Sequence, residues 1–383
     1  MNVYLSVIVI LLILFFVEYK NHKNKTLQQA CFYIGAISVF SIIAFRGTEV
    51  GGDTSAYVNF FIGKHSMYGN IDNSDMEVGF IFISRILRFI NGSTLWFLFS
   101  SSLITMLPFF MLIKKYSINK TLPLLLFMTV WAIFPTAVCA VRQNFAVALM
   151  MFAYILYKEK VKLHLQKTSL PWKWIAVVVA ICVLSILTHT SMLVALPLLL
   201  VSEYVHLSKK TSYVIVLGSF LLVLAVQNLF ESLFSVFNAF TKTIEYADRM
   251  NGYFENSSYD LTNEVSFNRL APATLLVLFY IFKSNEKEMK SVFLKCLVWG
   301  NALFCIGASF PLISRSVYLL LFMGIVYVPV SLYDTRKQIS NILLVFLLLF
   351  FVRTQFKYFD TYNIKENYYG VRLLPYNTIF KEL

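Results

Sequence analysis

The sequence predicts an all-α integral membrane protein of about 12 transmembrane helices, with further interfacial or re-entrant helices on the external side. Three observations carry that prediction. Of 383 residues, 58% are hydrophobic and 14% charged, against about 25% charged in ordinary soluble domains. Apolar runs near the ~18–20 residues that cross a bilayer recur from end to end. Lysines gather in alternate short loops between those runs, which is the pattern of cytoplasmic loops. The 37 Phe and 22 Tyr suit lipid-facing helices with aromatic anchors at the interfaces.

The elements follow in order. Spanning helices are expected at 3–19, 28–45, 94–113, 121–136, 141–157, 174–188, 190–205, 212–230, 265–282, 293–310, 315–332 and 339–353. The first run, Val3 to Val17, has no basic segment before it and no small-residue cleavage site after it. It reads as a retained helix and not as a signal peptide. The lysine-bearing loops hold Lys20, Lys23 and Lys25; Lys114, Lys115 and Lys120; and Lys158 through Lys173. Lys209 and Lys210, then Lys283, Lys287 and Lys290, then Arg336 and Lys337 complete the series. With these loops cytoplasmic, both termini lie outside, and the large external segments are roughly 46–93, 231–264 and 354–383. Residues 1–383 are expected to form a single polytopic membrane domain, with no second soluble domain.

Val78 to Ile90 is apolar but too short to cross ~30 Å as a helix. It reads as an interfacial or re-entrant helix, with Ser84, Arg85 and Arg88 on one side. The most sensitive element is the break at His189: Trp174 to Val201 as one tilted helix would put Lys283, Lys287 and Lys290 outside. Pro108, Pro135, Pro197, Pro272, Pro311 and Pro329 fall in or at the ends of apolar helices and mark kinks or unwinding.

The net charge of +13 reports this topology, so a nucleic-acid partner is not expected. No cysteine pair, H-E-x-x-H or phosphate-binding glycine loop is present, so no metal and no cofactor are expected.

Three helical hairpins each carry one lone charge or imidazole near the bend: Arg142 between Lys120 and Lys158, His189 between Lys173 and Glu203, and Arg315 between Lys295 and Asp334. A cation near lipid costs at least ~2.5 kcal/mol at mid-membrane, so such residues face a cavity or a partner. Arg46 at the end of the second helix and Arg269 before Pro272 join them. Four arginines and one histidine at the external level suit a phosphate or pyrophosphate. Snorkelling to headgroups, or pairing of Arg46 with Glu49 or Asp53 and of Arg269 with Glu264, is the competing role. In the first external loop, Gly51 and Gly52 permit a positive-φ turn. Asp53 or Thr54 then starts a helix over about 54–63 that carries Asp53 and Tyr57 near one face. Glu77 opens the interfacial helix.

At these residues the chain resembles the EpsG-like branch of bacterial polysaccharide polymerases, which includes Wzy-type O-antigen polymerases. The matching pieces are Phe45-Arg-Gly through Asp53-Thr-Ser-Ala-Tyr57, Glu77-Val-Gly-Phe80, Val141-Arg-Gln-Asn-Phe-Ala146 and His189-Thr-Ser-Met192. They cover the first half of the chain; the second half offers hydropathy, Arg269 and Arg315. The resemblance implies a glycosyltransferase-type polymerase, multi-pass in the bacterial inner membrane with its site facing the periplasm or cell exterior. Its substrate would be an oligosaccharide repeat unit on undecaprenyl pyrophosphate, in contact with membrane lipids, and a chain-length regulator would be its protein partner.

On that reading Arg46, Arg142, Arg269 and Arg315 bind the pyrophosphate, and Tyr57 and Gln143 contact sugar. Tyr68, Tyr246, Tyr253 and Tyr259 are further stacking candidates, though interfacial anchoring suits most of them. A base must take the acceptor proton: His189 ranks first, because neighbouring arginines would keep its imidazole neutral, with Glu77 second and Asp53 third. An O-antigen-ligase-like transferase and a flippase of lipid-linked saccharide are the alternatives; a flippase should show two related halves, which this sequence lacks.

Overall fold

A computed structural model describes residues 2–66, 69, 71, 76–131, 133–165, 171–224, 267–307, 311–333, 344–353, 373 and 376–381. Among them the architecture is all helical, and the β pairing consists of two isolated antiparallel bridges, Arg46 with Thr378 and Ser66 with Gly69. The first half runs α1 (Asn2–Lys20), α2 (Lys25–Ala44), α3 (Thr54–Ile62), α4 (Val78–Ile90), α5 (Thr94–Tyr116), α6 (Leu122–Thr129), α7 (Ile133–Cys139) and α8 (Val141–Leu156). A π-helical turn, Tyr157–Lys162, leads from α8 into the single turn α9 (Leu163–Leu165). Then come α10 (Trp172–Thr188), α11 (Met192–Tyr204), α12 (209–224), α13 (Phe267–Lys283), α14 (Val292–Gly307), α15 (Pro311–Gly324) and α16 (344–353).

Three of these are long and apolar enough to cross a membrane: Val3–Lys20, Lys25–Ala44 and Thr94–Tyr116. The pair α6 and α7, bent by 72°, makes a fourth if it is one span. Shorter apolar helices stand at several of the other expected positions, among them Trp172–Thr188, Met192–Tyr204, Leu270–Lys283 and Val292–Gly307. An integral membrane protein is what these helices describe.

Two expected spans take a different form. The helix expected over 121–136 is broken: α6 ends at Thr129, and Trp131 turns to φ +54° before α7 begins. The reason is Pro135, which has no N–H for the carbonyl of Trp131 four residues earlier and whose ring would strike it. The Trp131 indole donates instead to Asn301 Oδ1 on α14, 3.2 Å away. The helix expected over 315–332 occupies 311–324. It passes so close to α14 that a Cβ on Gly324 would lie 2.7 Å from the Leu297 Cα.

The break at His189 is present. α10 stops at Thr188, and His189 is extended, with φ −159° and ψ 121°. The two helices form a hairpin, because their far ends return to one place. Lys160 lies 5.5 Å over the Trp174 ring at the start of α10, and the Tyr157 and Tyr204 hydroxyls meet at 2.7 Å at the end of α11.

The lysine-rich loops gather at that same end of the bundle. Glu203 pairs with Lys162 and, at 3.6 Å, with Lys158. Lys115 pairs with Glu159. Lys209 caps α13 by donating to Phe282 O and Ser284 O at 2.9 and 3.0 Å, and Lys295 donates to Val205 O at 3.0 Å. Cations on the last carbonyls of a helix are favoured there.

Glu18 of α1 is fully buried at this end and acts as a cap supplied from another helix. It accepts from the backbone N–H groups of Lys120 and Thr121 at 2.7 and 2.9 Å and from the Thr121 hydroxyl at 2.7 Å, ahead of α6. Glu18→Ala strands the Lys120 N–H, because the Thr121 N–H and hydroxyl also donate to Asn119 Oδ1 at 3.1 and 3.2 Å, and an unsatisfied buried donor costs about 1–3 kcal/mol. A clear drop in the thermal midpoint of the purified protein is expected, and an unchanged midpoint would show that this cap does not limit stability.

At the opposite end, α3 and α4 lie beside the bundle. Val78, Phe82, Ile86, Phe89 and Ile90 on α4 are exposed, Phe89 to 93%. A 13-residue helix with one bare apolar face and Arg85 and Arg88 at its flank has the character of an interfacial helix, as the sequence predicts.

Candidate functional site

The end away from the lysines is built from the four sequence pieces singled out above. Arg46 follows α2 and is 1% exposed. Its guanidinium donates to Ile43 O at 2.5 Å, Val138 O at 3.1 Å and the Ser102 hydroxyl at 3.4 Å. It thereby holds carbonyls at the ends of α2 and α7, where a positive charge complements the helix dipole. Asn144 of α8 does the same for α7 through Thr136 O and Ala137 O, at 2.8 and 3.1 Å. Arg46 is thus consumed by the scaffold, with carbonyls and a hydroxyl as partners in place of the carboxylates the sequence offered.

The loop after Arg46 turns at Gly51, whose φ of +99° matches the expected glycine turn. α3 then starts at Thr54, with Asp53 in the N-cap position but no capping bond from its side chain. Tyr57 of α3 is buried and meets Phe80 of α4 edge to face, with centroids 5.7 Å apart. Phe80 also packs on Phe60 and on Phe145 of α8, each at 5.7 Å. This aromatic cluster ties three of the four pieces together and fixes where their polar residues stand.

Gly79 brings in the fourth. A Cβ at this position would lie 2.6–2.8 Å from backbone atoms of Leu187 and Thr188. Only glycine lets the start of α4 rest on the chain immediately before His189. α10 is in turn held to α8 by the Ser185 hydroxyl, which donates to Ala146 O at 2.7 Å.

Arg142 stands at the centre. Its Nη1 lies 2.6 Å from Glu77 Oε2, its Nε donates to the Tyr57 hydroxyl at 3.1 Å, and its carbon sits 5.8 Å from the Tyr57 ring centroid. The pair is partly open, at 22% and 23% side-chain exposure. The sequence shows no local carboxylate for Arg142; the fold supplies Glu77 from 65 residues away. His189 lies within electrostatic reach of Glu77, Arg142 and Arg315 together. Burial above all pushes its imidazole down to about 4, and the two arginines push the same way against Glu77. The sequence assigned that shift to the arginines, whereas desolvation leads.

Arg315 is positioned by Gln143, whose amide donates to the Arg315 carbonyl at 2.6 Å. Gln143 and Tyr57 are therefore both buried and engaged in holding arginines. Arg269 lies in α13, but its side chain is outside the described residues, as are Tyr68, Tyr246, Tyr253 and Tyr259.

Sequence reasoning missed the supporting set: Gly79, Phe80, Asn144 and Phe145. The signal was present, since all four lie inside the matching pieces. It also missed the C-terminal strap. Gly47 N–H donates to Asn377 O at 2.7 Å, Ile379 N–H to Phe45 O at 3.1 Å, and the Tyr376 hydroxyl to Ile42 O at 3.2 Å. The chain end thus closes over the Arg46 turn, and nothing in the periodicity of the sequence announces it.

Fold and site define the class: an all-helical integral membrane protein carrying a cluster of arginines, a carboxylate and an imidazole at one end of its bundle. The chain belongs to the EpsG family, whose match runs over residues 29–378 and so covers nearly the whole chain. This is a Wzy-like polysaccharide polymerase family, and membership supports a polymerase-like role in polysaccharide biosynthesis. No curated protein and no solved structure matches the chain.

Proposed function

We propose that this protein is a polysaccharide polymerase that joins oligosaccharide repeat units carried on undecaprenyl pyrophosphate at the outer face of the bacterial inner membrane. The chain forms one polytopic domain of twelve crossings with both termini outside, and it works beside a chain-length regulator. Arg142 and Arg315 hold the diphosphate of the donor, joined by Arg269; His189, Glu77 and Asp53 are the catalytic residues. The observation that carries this reading is Arg142, bridged to Glu77 and Tyr57 and close in charge to His189 and Arg315, at the end of the bundle away from the lysines. Arginines neutralise a leaving diphosphate, and a general base takes the acceptor's hydroxyl proton.

The test is a reconstituted reaction. Purified protein in lipid nanodiscs, given repeat units on a lipid diphosphate, should make a ladder of polymer lengths without any nucleotide sugar. Transfer to lipid A core with no ladder would replace this reading by a ligase, and transbilayer movement of the unit alone would replace it by a flippase. The orientation is tested separately. A reporter fused after Lys167 should read cytoplasmic and one near Asn256 external, and the opposite pattern would put the cluster on the wrong side for this substrate.

A further inference from the structure

The hydrogen bonds around His189 divide the acid–base work at the proposed site. The Ser191 N–H lies 3.2 Å from His189 Nδ1, and the Ser191 hydroxyl lies 2.8 Å from the same atom. A backbone N–H can only donate, so Nδ1 accepts. A neutral imidazole has one donor and one acceptor nitrogen, which leaves the proton on Nε2. This pairing is local: His189 is extended between the two helices, and Met192 N–H closes the turn onto His189 O at 3.1 Å. Among the described residues Nε2 has no hydrogen-bond partner, and it is not one of the buried atoms left unpaired. The ring therefore carries an N–H, and no lone pair, at its second nitrogen, within electrostatic reach of Glu77, Arg142 and Arg315.

Glu77 has the complementary arrangement. Arg142 holds Oε2 at 2.6 Å. Oε1 has no hydrogen-bond partner among the described residues and is not enclosed. Gly79 keeps this carboxylate beside the His189 turn.

Resting on the polymerase reading, we propose that His189 is a hydrogen-bond donor to the departing diphosphate and that Glu77 is the base. In the step, the acceptor hydroxyl gives its proton to the Glu77 carboxylate as its oxygen bonds to the anomeric carbon. The bond from that carbon to the diphosphate oxygen breaks, and its electron pair stays on the diphosphate. Arg142, Arg315 and the Nε2–H of His189 receive the charge that develops there. The diphosphate draws on the same guanidinium that holds Glu77, so arrival of the donor loosens the carboxylate for the acceptor.

The depressed imidazole agrees with this division. With its proton affinity pushed down to about 4, His189 remains neutral through the physiological range. A base that weak would be poorly matched to catalysis near neutrality.

The experiment has two arms. In the first, wild-type protein in nanodiscs carries 15N-labelled histidine, and the His189 signals are assigned by difference with His189→Gln. Expected is a protonated Nε2 and an acceptor Nδ1, unchanged between about pH 5.5 and 8. In the second, polymerisation of lipid-diphosphate-linked repeat units is compared across variants. His189→Gln keeps an N–H donor and should stay within about tenfold of wild type. His189→Ala should lose about 100-fold or more, as for a missing donor to developing charge. Glu77→Gln should lose about 100- to 10,000-fold while still binding undecaprenyl diphosphate. A ring protonated on Nδ1, a ring titrating near 6.5, or an active Glu77→Gln beside a dead His189→Gln would overturn the proposal and leave the polymerase reading standing. A wild-type protein that forms no polymer from the lipid-linked units would overturn the reading itself, and the proposal with it.

Discussion

Arg142→Lys lowers the rate of polymer formation by about 10- to 150-fold, with the protein still present in the membrane at its normal level. Arginine here uses two edges of a rigid plane, one toward Glu77 and one toward the Tyr57 hydroxyl. A lysine ammonium is a point donor on a flexible stem and cannot hold both while also meeting a diphosphate. Hydrogen bonds involving charged groups contribute about 1.5–3 kcal/mol, and at 1.36 kcal/mol per decade that range gives the loss stated. Arg142→Ala should fall further, because it also leaves Glu77 without its counter-charge. Tyr57→Phe keeps the aromatic packing on Phe80 and removes one bond, so it should cost only up to about tenfold. Assay of the lipid-linked unit and its polymer in membranes of matched protein content decides the order. Full activity in Arg142→Lys, Arg142→Ala and Arg315→Ala together would mean that these residues anchor the fold and do not touch the substrate.

The graded series also separates two kinds of arginine that look alike in sequence. Arg46 and Arg142 each stand at a helix end, Arg46 with Glu49 and Asp53 close in sequence and Arg142 with no local carboxylate. The fold buries Arg46 among carbonyls at the ends of α2 and α7, and leaves Arg142 partly open against a carboxylate. Sequence hydropathy reports that a cation sits near the membrane; it does not report which backbone carbonyls converge on it. One of those carbonyls, Val138 O, belongs to α7, a helix that exists because Pro135 breaks the expected span. The nearness of Arg142 and Arg315 to His189 was therefore legible, and the separation of Arg46 from them was not.

The helices themselves were legible where composition alone decides. α1, α2, α3, α4 and α5 stand where apolar runs, glycines and lysines place them, because each is set by local chemistry. The hairpin at His189 was legible through the charge pattern. The break between α6 and α7 was not, since a proline inside an apolar run reads equally as a kink or an end. Nor was the Arg142–Glu77 pair, a contact across 65 residues that depends on how α4 docks against α10. Asp53 shows the same limit: its place ahead of α3 was legible, but its side chain does not cap the helix.

Gly79→Ala should therefore disable the protein by geometry alone, without touching a charged residue. The added methyl would lie 2.6 Å from the Leu187 carbonyl carbon, 2.7 Å from Thr188 N and 2.8 Å from Leu187 O. All three are backbone atoms, so no side-chain rotamer relieves the clash, and α4 must move off α10. Overpacking of this kind costs about 1–3 kcal/mol, which a bundle of this size can absorb as a local shift. Glu77 lies two residues away and moves with α4, away from Arg142 and the His189 turn. Displacement of a reacting group by about 1 Å costs on the order of 100-fold in rate, so polymer formation should fall by about that factor, far more than the accompanying drop of a few degrees in thermal midpoint explains. Gly218→Ala is the control: a Cβ there meets nothing within 4 Å, and activity should be unchanged. Full polymerisation by Gly79→Ala would show that the docking of α4 on α10 does not place Glu77, and that the carboxylate reaches Arg142 by its own side-chain freedom.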